Sequence, residues 1–94
     1  SHVQNQIHSI LEERDRVIDE LSKLSSIITY PSNSNFILFK VPNGGDNLFN
    51  KLKKNGILVR NLNSHPKLKD CLRVTIGTKQ ENNYFVEQLR KISP

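Results

Sequence analysis

A single cysteine, Cys71, leaves nothing for an internal disulfide to pair with, which fits a reducing compartment. It borders a strand and is read as a small buried hydrophobe rather than a nucleophile. Apolar residues are scarce as well. Their share of 35% falls below the usual roughly 45–50%. A chain this lean folds with a thin stability margin and is expected to rest against a larger body. No apolar run approaches the ~20 residues of a membrane span, and no signal-peptide core opens the chain. The expected location is cytoplasmic. Methionine is absent altogether. Translation begins with one, so Ser1 is read as an end made by cleavage or trimming, and the chain as a piece of a longer protein.

Several kinds of chemistry are missing too. His2, His8 and His65 lack ligand spacing to one another or to Cys71, so no metal site is expected. Gly44-Gly45 lacks the spacing and the Lys-Ser/Thr ending of a phosphate loop. No local motif supports a nucleophilic triad. The chain is expected to bind part of a substrate and to carry no catalytic residue of its own.

What is present begins with Cys71-Leu72-Arg73-Val74-Thr75-Ile76-Gly77-Thr78. Leu72, Val74 and Ile76 alternate with Arg73 and Thr75, the period-two pattern of a half-buried strand. Arg73 therefore lies on the face opposite the apolar side chains. Gly77 turns the chain, and Thr78 and Glu81 have the spacing of a capping box that starts a helix. A guanidinium fixed on a strand suits a carboxylate or phosphate, which it grips through two parallel hydrogen bonds. The plainer alternative is an arginine on a wet sheet face with no specific role.

Charge is unevenly spread. Residues 1–25 carry five acids against three bases, a net of −2. Residues 51–73 carry Lys51, Lys53, Lys54, Arg60, Lys67, Lys69 and Arg73 against Asp70 alone, a net of +6. An anionic ligand would be drawn there, although Lys51, Lys53 and Lys54 read as a solvated helix face.

The spacing of Val3, Ile7, Ile10, Val17, Leu21 and Leu24 predicts one long helix, about 33 Å from residue 3 to residue 24, with Arg14 filling the gap in the apolar stripe. Glu12–Arg16 and Asp19–Lys23 have the i,i+4 spacing of helix-supporting pairs. Three heptads interrupted by an arginine make a poor coiled coil, so residues 1–25 read as a helix connecting to a neighbouring domain. Ile27-Ile28-Thr29 reads as a short strand before a turn-rich stretch at 30–35. Phe36 to Val41 is almost continuously apolar, the pattern of a strand buried on most of both faces. Pro42 to Asp46 reads as a loop with Asp46 as N-cap. Leu48, Phe49 and Leu52 give a short helix that Asn55-Gly56 stops. Ile57 to Arg60 is a strand, Asn61 to Cys71 a loop, and 79–91 a helix with Phe85, Val86, Leu89 and Ile92 inward. The order predicts an α+β fold: a small, mainly antiparallel sheet of three to four strands with helices on one face, forming a single domain over 1–94 whose body is 26–94.

Three segments together carry a resemblance: Tyr30-Pro31-Ser32 through Asn35-Phe36, Gly56-Ile57-Leu58-Val59-Arg60, and Leu72 to Thr78 with Glu81-Asn82. In this order the chain, from about Ile7 to Ile92, resembles the C-terminal small domain of the histidinol-phosphate aminotransferases, pyridoxal-phosphate enzymes of the aspartate-aminotransferase fold type. The resemblance implies a role in histidine biosynthesis. It implies that Arg73 binds the substrate's α-carboxylate and that Arg60, at the active-site mouth, helps hold the substrate phosphate. It further implies a missing large domain, a homodimer, and the anionic substrates histidinol phosphate and glutamate/2-oxoglutarate. The cofactor lysine of this family belongs to a Ser-Lys segment of the large domain. Ser22-Lys23 does not match that segment, so this chain by itself is expected to hold no pyridoxal phosphate. Ser34 stands where an alanine is common, and Lys79-Gln80 replaces a more acidic helix start.

Two other readings stand beside this one. Threonine-phosphate decarboxylases and aromatic aminotransferases of the same fold type share the anion logic around Arg73. A net charge of +5 also permits a small basic RNA-binding module. Such modules stack bases on exposed strand aromatics, whereas Tyr30 and Tyr84 fall in a turn and a helix. Nucleic acid is therefore not the expected partner, and neither is a membrane.

Overall fold

The computed structural model describes residues 2–32 and 34–92, with side chains from residue 10 onward. Ser1, Asn33, Ser93 and Pro94, and the side chains of His2, Val3, Ile7 and His8, lie outside that description. The elements run α1 (His2–Ser22), β1 (Ile28–Thr29), β2 (Phe36–Lys40), α2 (Gly45–Lys54), β3 (Val59–Asn61), β4 (Cys71–Thr75) and α3 (Lys79–Ile92). The four strands form one sheet in the order β1-β2-β4-β3, and every neighbouring pair is antiparallel. This is the α+β arrangement that the sequence predicts.

All three helices supply the core on one face of the sheet. Val17 and Leu21 come from α1, Leu48 and Leu52 from α2, and Phe85, Val86 and Leu89 from α3. They meet Ile37 and Phe39 of β2 and Leu72 and Val74 of β4. The rings of Phe39 and Phe85 lie 6.0 Å apart, tilted by 57°, within the favoured range of aromatic separations. Burying side chains of this size contributes about 1.5–3 kcal/mol each.

Among the described residues, no helix packs on the other face of the sheet. Phe36, Leu38 and Lys40 are therefore half-buried while Ile37 and Phe39 are buried. The apolar run of β2 predicts burial on most of both faces; the structure buries one. Ile28, opposite Lys40, is 47% exposed on this open face, and Leu58, just before β3, is 92% exposed.

The first helix ends at Ser22 rather than near Leu24. The Ser22 hydroxyl donates to the Asp19 carbonyl at 2.7 Å, the acceptor that the Lys23 N–H would otherwise use. Lys23 turns instead to the Glu20 carbonyl, and Leu24 to that of Leu21. The arginine in the apolar stripe is accommodated at its edge. Arg14 keeps only 12% side-chain exposure and donates to Asp15 and to the Ser34 carbonyl. Arg16 makes a two-pronged contact with Glu13, at 2.7 and 2.9 Å.

The second helix starts differently from expectation. Gly44 occupies the N-cap, and no side chain within the helix caps it; Asp46 sits inside the first turn. The cap comes from outside. Asp70, 25 residues downstream, accepts from the Gly45 N–H at 3.1 Å, a helix donor that would otherwise be orphaned, and from the Asn43 N–H of the preceding loop at 3.0 Å. The helix closes as predicted on Gly56, whose φ is 77°. Its N–H reaches the Lys53 carbonyl, and the Ile57 N–H reaches that of Leu52, the two bonds of a Schellman motif. Ile57 is thereby committed to the helix stop, so β3 begins at Val59 instead of Ile57.

Gly45 touches Asp70 so closely that a Cβ there would lie 2.6 Å from the Asp70 Cα. In open space, Gly→Ala at a helical position stabilises by about 0.5–1 kcal/mol. Here the sign is expected to reverse. Gly45→Ala should destabilise by about 1–3 kcal/mol, the range for overpacking against backbone. Denaturant unfolding of both proteins measures it, and an unchanged or raised midpoint would show that the contact is slack.

Candidate anion-binding site

Register decides where the two arginines stand. Arg60 of β3 is the direct partner of Arg73 of β4. Directly opposed residues of an antiparallel pair share a face, with Cα atoms about 4.5–5.5 Å apart. Leu38 flanks Arg73 on the other side. The buried residues on either side of Arg73 in sequence, Leu72 and Val74, point into the core. Both guanidinium groups therefore belong to the open face, as the alternation around Arg73 predicts. Arg73 is half-buried and Arg60 exposed.

Two like charges placed opposite each other destabilise a sheet. Here no carboxylate offsets them. Neither arginine has a hydrogen-bond or ion-pair partner among the described residues. Arg73 does meet an aromatic ring: its Cζ lies over Phe36, 5.2 Å from the centroid. A pair of unneutralised guanidiniums side by side on an open sheet face can take one shared anion, or two anionic groups of a single ligand.

The structure divides the basic stretch 51–73 into separate places. Lys51, Lys53 and Lys54 are exposed on α2, whose buried Leu48 and Leu52 hold it against the opposite sheet face. Lys67 and Lys69 are exposed in the 62–70 loop. Lys40 joins the open face opposite Cys71. Cys71 itself is buried, and burial raises its thiol pKa. Among the described residues no group of three His, Cys, Asp or Glu side chains is placed to hold a metal ion.

The ends of β4 are fixed by polar contacts. Before the strand, Asp70 has φ 59° and donates its N–H to Asn63 at 2.7 Å. The Asn63 N–H in turn reaches the Asn61 side chain, which donates to Asp46. This chain of bonds ties the connection between the two arginine strands to the start of α2. After the strand, the predicted capping box is present: Thr78 Oγ1 accepts from the Glu81 N–H and Glu81 Oε1 accepts from the Thr78 N–H. Buried Asn82 closes the turn by bonding the N–H and the carbonyl of Gly77. Its amide also reaches Glu13 on α1 at 3.1 Å.

Glu13 is consequently held well below the ordinary carboxylate range, at about 2, chiefly by its hydrogen bonds to Arg16 and secondarily by Asn82. A carboxylate with a depressed folded-state pKa contributes stability above its ordinary pKa of 4.5 and loses it as pH falls toward 2. The Glu13 side chain is only 18% exposed, yet Arg16 is more open, so the contribution after screening is about 1 kcal/mol at most. Glu13→Gln is expected to be less stable than the native chain at pH 7 and to converge with it near pH 2. Unfolding midpoints of the two proteins across that range check it; a constant difference at every pH would contradict the assignment.

The model of the family described as "Aminotransferase class I and II" matches residues 1–89. The chain belongs to that family. It is 42% identical over 90 residues to the histidinol-phosphate aminotransferase of Ruminiclostridium cellulolyticum, covering 96% of this chain and 25% of that protein. It is 48% identical over 82 residues to that of Vesicomyosocius okutanii, covering 87% of this chain and 23% of the relative. The crystal structure of the Clostridium acetobutylicum histidinol-phosphate aminotransferase superposes with a TM-score of 0.80 at 30% identity, over 88% of this chain and 26% of that one. The L-threonine-O-3-phosphate decarboxylase of Porphyromonas gingivalis shares the fold, with a TM-score of 0.81 at 22% identity over 90% of this chain and 27% of that one. The chain thus spans about a quarter of the length of the aminotransferase relatives it matches. Among the described residues no helix is long and apolar enough to cross a membrane.

An aminotransferase of this class works with pyridoxal phosphate, and the residues here do not fit a covalent site for it. The described lysines are exposed, apart from half-buried Lys40 on the open sheet face. None stands in the desolvated pocket, or beside a paired cation there, that makes a lysine amine reactive. Sequence reasoning named Arg60 and Arg73 but neither the Phe36 ring that lies against Arg73 nor the Asp70 cap. The first is signalled by its parity with Leu38 on β2; the second has no local signal, because its partners lie 25 and 27 residues away.

Proposed function

We propose that the chain is the C-terminal small domain of a pyridoxal-phosphate-dependent histidinol-phosphate aminotransferase of histidine biosynthesis. Its task there is to supply the arginines that hold the substrate's anionic groups. The observation that carries this reading is the cross-strand pairing of Arg60 with Arg73 on an open face, with no acidic partner among the described residues. Arg73, half-buried at the centre, takes the α-carboxylate of glutamate or 2-oxoglutarate. Arg60, on the edge strand, takes the phosphate of histidinol phosphate. The half-exposed apolar residues around them give the large domain a surface to cover, and α1 forms the connection to it. Closing that face would remove water and strengthen both ion pairs. The full-length enzyme acts as a cytoplasmic homodimer.

Pyridoxal phosphate, when bound in the full-length enzyme, supplies the electron sink for amino-group transfer. This chain's residues only bind and orient the substrate. Relatives at 42% and 48% identity named for histidinol phosphate favour that substrate over threonine phosphate, whose decarboxylase matches at 22%. The family also favours an enzyme over an RNA-binding module. The aromatic ring of Phe36 on the open face is already covered by Arg73 and is not free to stack a base.

The test has two arms. The full-length protein loaded with pyridoxal phosphate is expected to transaminate histidinol phosphate with 2-oxoglutarate, and the 94-residue chain mixed with the cofactor is expected to bind none covalently at a defined lysine. A full-length protein that decarboxylates threonine phosphate but leaves histidinol phosphate untouched would sink the substrate assignment. Stoichiometric labelling of one lysine in the short chain would sink the division of labour.

A further inference from the structure

An arginine that must stay free for a ligand raises a problem of aim. Its side chain is long and rich in rotamers, and the usual way to fix it is a carboxylate. That carboxylate would occupy the N–H donors and cancel the charge that the ligand needs. Arg73 has no such partner among the described residues. It has the Phe36 ring face beneath its Cζ at 5.2 Å.

We propose that Phe36 is a positioning residue that aims the Arg73 guanidinium at the substrate carboxylate through a cation–π contact. The inference rests on the reading of Arg73 as the carboxylate clamp and deepens it. A ring face attracts the cation while consuming none of its five donors. The register explains how the two meet. Leu38 is the direct partner of Arg73, and Phe36 that of Thr75. Phe36 is thus the diagonal neighbour, about 7–8 Å away between backbones and within reach of long side chains. The contact draws Arg73 toward the Thr75 end of β4 and away from Lys40, which stands opposite Cys71 at the other end.

Phe36 is itself well held. Its carbonyl accepts from the Ser32 hydroxyl at 2.6 Å. The preceding carbonyl, that of Asn35, accepts from the Ile76 N–H at 2.7 Å. The start of β2 is therefore tied to the end of the strand that carries Arg73. Its own neighbours in β2, by contrast, do not offer Arg73 a polar contact. Leu38 is aliphatic and Ile37 points into the core.

The experiment replaces Phe36 in the full-length enzyme by phenylalanines carrying one, two and three ring fluorines. Fluorine drains the ring face but preserves shape and packing, so a merely structural role would not respond. KM for glutamate and for 2-oxoglutarate is expected to rise stepwise, reaching about two- to fivefold, the range of an exposed to half-buried cation–π contact. In an Arg73→Ala background the same series should give no trend. Phe36→Leu, which removes the ring face, should raise the same KM values at least as far as the third fluorine does, with its thermal midpoint checking that it folds. A flat series in the native background, or an equal trend with Arg73→Ala, overturns the proposal. If Arg73→Ala still impairs both dicarboxylate substrates in that case, the clamp reading stands without Phe36. If Arg73→Ala is harmless, the clamp reading has failed first.

Discussion

Arg73→Lys in the full-length enzyme is expected to lower kcat/KM for both glutamate and 2-oxoglutarate by about ten- to a hundredfold, with little change in stability. Lysine keeps the charge but presents a point cation in place of a planar fork, so one of two parallel hydrogen bonds to the carboxylate is lost. A charged hydrogen bond contributes about 1.5–3 kcal/mol, which converts to that range of rates. The fold should tolerate the change for a structural reason. Arg73 makes no hydrogen bond or ion pair within the described residues, and its face carries no helix whose packing it would disturb. Removing one of two opposed cations from the Arg60–Arg73 pair does not help here, because lysine preserves the repulsion. Steady-state kinetics with each substrate varied in turn, set beside an unfolding curve, separate the two effects. Near-native kinetics for both substrates would show that the carboxylate binds elsewhere.

The strand that carries Arg73 was legible because two independent local signals agree on it. Period-two alternation sets its faces, and the Thr78–Glu81 capping box marks where the chain stops being a strand; both are seen. Gly56 was equally legible, since an αL stop needs a residue without Cβ. What escaped the sequence is long-range. The cap of α2 comes from Asp70, and no spacing rule links residues 25 apart. Asp46 was the better local candidate and lost to a side chain delivered by the fold. The apolar run of β2 predicts burial on most of both faces because a sequence shows hydrophobicity and not what covers it. The half of that run that stays open, Phe36 and Leu38, borders the arginine site. The pairing of Arg60 with Arg73 was invisible for the same reason: two strand arginines thirteen positions apart become one site only when register sets them face to face. Turn chemistry does close that connection, through consecutive short bonds from Leu62 to Cys71, but nothing in its composition states the register.

Arg60 should discriminate by phosphate rather than by carboxylate. It lies on the edge strand, exposed, while its partner Arg73 is half-buried at the centre of the sheet. An edge guanidinium meets the part of a ligand that projects farthest from the central strand, and a phosphate dianion rewards it most. Arg60→Ala is therefore expected to raise KM for histidinol phosphate by about ten- to a hundredfold, the equivalent of roughly 1.5–3 kcal/mol for a charged acceptor that loses its partner. KM for 2-oxoglutarate, which has no phosphate, should stay within about twofold. The same change relieves the like-charge repulsion across β3 and β4, worth roughly 0.2–1 kcal/mol, so stability should hold or rise slightly. The stability result makes the kinetic one interpretable: a variant that melts as the native enzyme does and loses only the phosphorylated substrate has lost a contact, not a fold. Equal losses for both substrates would instead assign Arg60 to the shared carboxylate. Unchanged kinetics for both would return it to an ordinary solvated arginine at a sheet edge.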